Sequence, residues 1–194
     1  QFVVSISLFL GTVFIHRQMQ FIQDRDLSLK TDQVVVIPIW RLANGNGARF
    51  HNQVTQVPDI VAFTNANSSL FDGLNSTTDL KWPGMPKDAE MWIANFHVGD
   101  RFLQFFDMKM REGNNLDNVS PKSPNWILNE TAVKKMGLKD PVGQSITFRE
   151  KPGTIIGVVK DFHFQSMHKE IMPVIMQYNP DAGIFLYLRV QPQH

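Results

Sequence analysis

QFVVSISLFLGTVFI occupies residues 1–15, and HRQMQFIQDRD follows over 16–26. How these two stretches are read decides the architecture. The first has no charged side chain before Arg17. A helix that spans a bilayer takes about 20 apolar residues, so the run is too short for a whole span. It has no Met start, no basic leading segment and no small-x-small cleavage site, unlike a signal peptide. It predicts the outer end of a transmembrane helix that begins upstream, with the remaining chain forming an extramembrane domain. The competing reading is a buried N-terminal core helix. Ile15, Met19 and Ile22 fall at i, i+4 and i+7, which predicts one continuous helix to about Asp26. Gln18, Gln20, Gln23, Asp24 and Arg25 form its wet side. The start is apolar all round and needs lipid or a surrounding core, whereas the end is apolar on one stripe only.

The rest of the composition narrows the function classes. The chain has 194 residues, 43% hydrophobic and 19% charged, enough for one large domain or two small ones with a real core. A net charge of +1 argues against nucleic-acid binding by bulk electrostatics. The absence of cysteine excludes a disulfide scaffold, thiol catalysis and cysteine-ligated zinc. N-x-S/T sequons stand at Asn67, Asn75, Asn118 and Asn129. In a cysteine-free chain these suit a bacterial envelope protein, where they have no glycan meaning, better than a secreted eukaryotic one.

Moving outward along the chain, Val34–Ile37 is a β-branched run that reads as a strand, restricted by Pro38 to an edge or an end. Asn44–Gly47 is a turn; Phe50, Val54 and Val57 repeat at helical spacing up to Pro58; Ile60–Thr64 is a second strand. Residues 33–65 therefore predict a compact β-α-β unit. Residues 65–89 are polar and turn-rich, and Trp82-Pro83-Gly84 is a tight turn. Met91–Phe96 reads as a strand, Asp100 as the cap of a short helix carrying Phe102, Phe105 and Phe106, and Met108–Met110 as a strand before Glu112-Gly113. Trp126–Leu128 is a strand, and Asn129 caps a helix over 130–136 that Gly137 closes. After the turn Asp140–Gly143, Ser145–Phe148 and Thr154–Val159 predict a hairpin across Glu150–Gly153, and Ile184–Val190 is the last strand. The fold class is α+β with many short strands.

Motifs of chemistry are few. Asp161, His163 and His168 place a carboxylate and two imidazoles within eight residues, a spacing metal ligands can have, but no H-e-x-x-H pattern accompanies them. The structural alternative is a loop after a strand, its polar side chains capping backbone groups. No serine sits in a G-x-S-x-G context, and no phosphate-cradling Gly-rich loop occurs. The chain is thus not itself the nucleotide-hydrolysing part of a P-loop machine. Asp24 and Asp26 lie on the wet helix face, and the 15 Phe and 4 Trp read as core. No catalytic residue, cofactor site or metal site is expected.

The segment Gly157-Val158-Val159-Lys160-Asp161-Phe162-His163-Phe164-Gln165-Ser166-Met167-His168, with Ile171 and Pro173, closely resembles a signature of the periplasmic core domain in MacB-like, FtsX-type ABC transporter permeases. Three further stretches resemble the same family in the same order. They are Gln1-Phe2, Ser5-Ile6, Gln18, Phe21-Ile22 and Asp26-Leu27; then Asn129-Glu130, Ala132, Gly137, Asp140–Gln144 and Ile146; then Tyr187–Val190. Leu27-Ser28-Leu29 stands where the family usually has Leu-Gly-Phe, and Gly113–Leu116 where it often has Gly-Arg-x-Phe. In the family a further helix and strand normally follow the Tyr-Leu-Arg-Val strand.

The resemblance implies a non-catalytic extracytoplasmic domain, preceded by the end of a transmembrane helix over 1–30. A porter-like βαβ-type subdomain would comprise 31–95 and 169–194, and an inserted mixed α/β sabre-like subdomain 96–168. ATP would be hydrolysed by a separate cytoplasmic subunit or domain. The other partners implied are the remaining transmembrane segments of the permease, a second permease copy and a periplasmic adaptor or substrate, at the bacterial inner membrane. Phe14, Gln18, Phe21, Ile22 and Asp26 would form the mechanical link, and Gly157, Asp161, Phe162, His163, Ser166, His168 and Pro173 a structural segment. The alternatives are an extracytoplasmic ligand-sensing domain of a receptor and a membrane-anchored metal hydrolase using Asp161, His163 and His168.

Overall fold

The computed structural model describes residues 2–23, 29–39, 53–54, 56–71, 75–117, 119–120, 124–163 and 170–191. Helix α1 runs unbroken over Phe2–Gln23. The expected continuation to Asp26, the turn at 44–47 and most of the helix expected over 50–57 lie outside the described residues. No residue of Phe2–Met19 is buried by the rest of the chain, so the core-helix reading fails.

The strands are β1 (Val34–Pro38), β2 (Ile60–Ala66), β3 (Ser76–Thr77), β4 (Leu80–Lys81), β5 (Ile93–Val98), β6 (Met110–Gly113), β7 (Asn125–Asn129), β8 (Ser145–Phe148), β9 (Lys151–Val159), β10 (Val174–Tyr178) and β11 (Phe185–Val190). Two short helices, α2 (Phe102–Phe105) and α3 (Glu130–Met136), and a 3-10 turn at Pro180–Ala182 complete the described elements. All strands belong to one sheet in the order β1-β11-β2-β5-β10-β7-β9-β8-β4, with β3 alongside β5 and β6 alongside β9.

Several expectations need correction. The β-α-β unit of 33–65 is split: β11 lies between β1 and β2 and is antiparallel to both. β10 was not foreseen, yet it is central, parallel to β5 and antiparallel to β7. β3 and β4 rise from the segment read only as turns. The hairpin turn is Arg149-Glu150, with φ of 48° and 64°, and not Pro152-Gly153, which lie inside β9. Gly153 is there because a Cβ would come within 2.0 Å of the Pro124 carbonyl oxygen and 2.3 Å of the Trp126 indole nitrogen. Asp100 does not cap α2; the N-cap position is held by Arg101 in the left-handed region, without a side-chain bond. Asn129 and Gly137 cap α3 as expected, Gly137 at φ 65°.

Two apolar cores lie on opposite faces of the central strands. Phe96, Ile127, Val159, Val174 and Met176 join one, with the α2 phenylalanines, Phe162 and Tyr187. Ile93, Trp126, Leu128, Val158 and Ile175 join the other, with Ala132, Val133 and Met136 of α3. Neighbours along each strand point to opposite faces, so alternating apolar residues fill both. Ile155 and Val158, three apart, share a face because the β7–β9 register shifts at Trp126/Ile127. One extra residue in a strand inverts the parity of everything after it. In the first core, Phe106 packs edge-on to Tyr187 at 5.2 Å. The buried Tyr187 hydroxyl donates to Ser68 O and accepts from Leu70 N. A buried phenol needs such partners to offset the loss of water.

Candidate functional site

The segment that carries the resemblance leaves the end of β9 and crosses the N-terminus of α3. Gly157 is required by packing: a Cβ there would meet Asn114 O at 2.3 Å and Met110 Cε at 2.6 Å, where β6 closes on β9. Beyond the strand, Asp161 turns toward α3. Its Oδ1 accepts from Thr131 N at 2.9 Å and its Oδ2 from the Thr131 hydroxyl at 2.7 Å. Its own N–H donates back to Glu130 Oε2 at 3.0 Å. A helix N-terminus leaves its first N–H groups unpaired, and Asp161 satisfies one while Asn129 satisfies the next. Phe162 follows, 1% exposed, inserted into the first core.

Asn129 does more than cap. Its Oδ1 accepts from both Ala132 N (3.0 Å) and Val174 N (2.9 Å), and its Nδ2 donates to Met172 O (3.0 Å). Asn129 and Asp161 thereby tie the start of α3 to both ends of the 160–173 connection. The buried Pro173 completes the return, its carbonyl accepting from Ala94 N at 2.9 Å. Asn129 is wholly buried, so its sequon is closed in the folded protein. The capping signal in the sequence pointed to its bond with Ala132 but could not reveal the bonds to Met172 and Val174.

His163 is partly buried beside this knot, and Ser166 and His168 lie outside the described residues. Among the described residues, no three His, Asp or Glu side chains gather as metal ligands would.

Of the residues expected to form the mechanical link, Phe14 is 62% exposed and Gln18 is also exposed. Phe21 and Ile22 lie in the last turns of α1, with side chains outside the described set, as is all of Asp26.

An open cleft of about 980 Å³ separates the outer part of β2 from α2. Its floor includes Ile60, Ala62, Phe63 and Leu103; Asp100, Arg101, Gln104, Asp117 and Tyr178 supply its polar lining. The Tyr178 hydroxyl donates to Asp100 Oδ1 at 2.5 Å. Burial, that bond and the neighbouring carboxylates push the phenol up to about 12, so it remains a donor at any physiological pH.

The geometry is that of a positioned scaffold with an exposed apolar helix. The fold is similar to the periplasmic region of MacB from Actinobacillus actinomycetemcomitans, with a TM-score of 0.55 at 15% identity over 86% of this chain and 78% of that one. It is also similar to the extracellular domain of the noncanonic ABC-type transporter YknZ from Gram-positive bacteria, with a TM-score of 0.52 at 11% identity over 73% and 71%. A domain of a putative permease from Porphyromonas gingivalis gives 0.52 at 16% identity over 72% and 60%. Among curated protein sequences none matches. The family model for the MacB-like periplasmic core domain matches residues 2–192, and with nearly the whole chain covered, this protein belongs to that family of ABC transporter permease domains.

Proposed function

We propose that this periplasmic domain couples ATP hydrolysis on the cytoplasmic side to the handling of a substrate or partner outside, without chemistry of its own. The observation that supports this most directly is α1. It is a single helix of 22 residues, and no residue of its apolar Phe2–Met19 window is buried by the described protein. A continuous helix carries displacement along its axis, and lipid is the natural cover for an apolar surface of this size. The cytoplasmic ATPase, the other membrane helices, a second permease copy and an adaptor or substrate are the partners this reading requires, at the bacterial inner membrane. Its two-lobed form, 31–95 with 169–194 against 96–168, is part of the proposal. In support, β10 of the first set pairs with β7 of the second, so the two lobes would share one sheet.

The test is Gln20→Pro in the intact permease. An interior proline costs a helix roughly 3 kcal/mol and removes one backbone hydrogen bond. Transport should fall while ATP hydrolysis and the folded domain persist. Normal transport in this variant would exclude α1 as the link.

A further inference from the structure

We infer that Arg189 is the clamp that fixes the chain leaving α1 to the sheet; this rests on the coupling reading above. After α1, Leu29–Gln33 lie against the folded domain. Leu29 packs against the first core, and Lys30 N donates to Phe106 O at 2.8 Å. The guanidinium of Arg189 then takes three backbone carbonyls at once. Its Nη1 donates to Asp32 O at 2.9 Å, and its Nη2 to Lys30 O at 2.9 Å and Phe105 O at 2.6 Å. Its plane also lies over the Phe105 ring, 4.9 Å from the centroid.

Each contact has a physical reason. The last carbonyls of a helix have no partner within it, and Phe105 ends α2. A cation there makes a charge-assisted hydrogen bond to the free carbonyl. The guanidinium offers five donors in a rigid fork and stacks on aromatic faces, so one side chain can bridge three acceptors and a ring. Arg189 is held for this task on its own strand. It pairs with Val34 of β1 on one side and Ala62 of β2 on the other, and the β11–β2 register shifts immediately after it. Gln33, at φ 57°, turns the incoming chain into β1, and its carbonyl accepts from Val190 N at 3.1 Å. Three elements distant in sequence thus converge on one side chain: the segment after α1, the end of α2, and β11. A displacement carried by α1 reaches β11 and the aromatic cluster through Arg189. Its role in this proposal is positioning.

The test uses the full permease with its ATPase, reconstituted in lipid. This chain has no cysteine, so Arg17→Cys on α1 and Lys134→Cys on α3 place two spin labels in it on exposed positions. The inter-label distance is measured in the resting state and after trapping with ATP and vanadate. With Arg189 intact, a single narrow distance is expected. Arg189→Gln should lose that narrow distance while near-UV circular dichroism stays native. Arg189→Lys keeps charge and stem but donates from one nitrogen, so it too should lose the narrow distance, and it serves where the glutamine variant does not fold. A narrow distance retained in either folded variant overturns the clamp. Trapping tests the coupling reading separately: no ATP-dependent shift in the parent protein sinks that reading, whatever Arg189 does.

Discussion

Asn129 makes two buried acceptor bonds and one part-buried donor bond. Asn129→Ala removes an N-cap, worth about 1 kcal/mol, and leaves the buried Val174 N without its partner, worth about 1–3 kcal/mol. We expect a loss of about 3 kcal/mol, seen as a lower urea midpoint at unchanged slope. Asn129→Asp keeps both acceptor bonds and should lose clearly less. Equal losses in the two variants would show that the acceptor bonds contribute little. Asn129 illustrates what was legible and what was not. Its cap could be read from Asn-Glu-Thr-Ala followed by Gly137, because a cap is an interaction across three residues. Its bond to Val174 spans 45 residues and leaves no local mark.

At the scale of elements, glycine was the most misleading residue. Pro152-Gly153 has the composition of a turn, yet the turn is Arg149-Glu150. The glycines of β9 serve close approach: Gly153 to the Pro124–Trp126 backbone and indole, Gly157 to Asn114 and Met110. Gly157→Ala should destabilise the domain by about 2 kcal/mol, since the obstructing oxygen belongs to backbone that cannot rotate away. Thermal unfolding measures this, and an unchanged midpoint would mean that β6 can give way at little cost. The order of strands was equally hidden. The β-branched run Val34–Ile37, limited by Pro38, marks β1 as an edge strand, and it lies at the edge of the sheet. That β11 inserts between β1 and β2 depends on residues more than a hundred positions away. β10 escaped notice because Val174–Tyr178 is short and buried on both faces, so it lacks alternation.

The whole molecule joins a mixed sheet to a helix that no part of the described protein covers. Near neutral pH, His97 is a clear contributor to its response among the described residues. His97, in β5, is held below the ordinary imidazole value, first by burial and then by the charges of Arg149 and Lys151. The folded state therefore resists protonation while the unfolded state accepts a proton near pH 6.5. Where the unfolded state binds more protons, stability rises with pH. The domain should lose stability as the pH falls below about 6.5, toward the lowered folded value, and gain nothing from His97 above it. Urea titrations at several pH values, compared with His97→Gln, measure this; the variant should flatten the slope in that window. An identical slope in both proteins would assign the dependence to other groups.

Helix α1, the cap pair of α3, the aromatic face of α2 and most strands were determined by the sequence alone. Each is set by periodicity or by contacts within a few residues, and hydropathy records both. Membership of the MacB-like family was equally legible, because ordered short motifs survive where overall identity to solved relatives is only 11–16%. Only the tertiary structure decided which strands pair, which face each apolar residue serves after the β7–β9 register shift, and where Arg189 reaches. The Arg189 bond to Asp32 joins residues 157 apart. Such contacts depend on where the whole chain lies, and a single side chain carries the same letters in the sequence whether it is met by water or by three carbonyls.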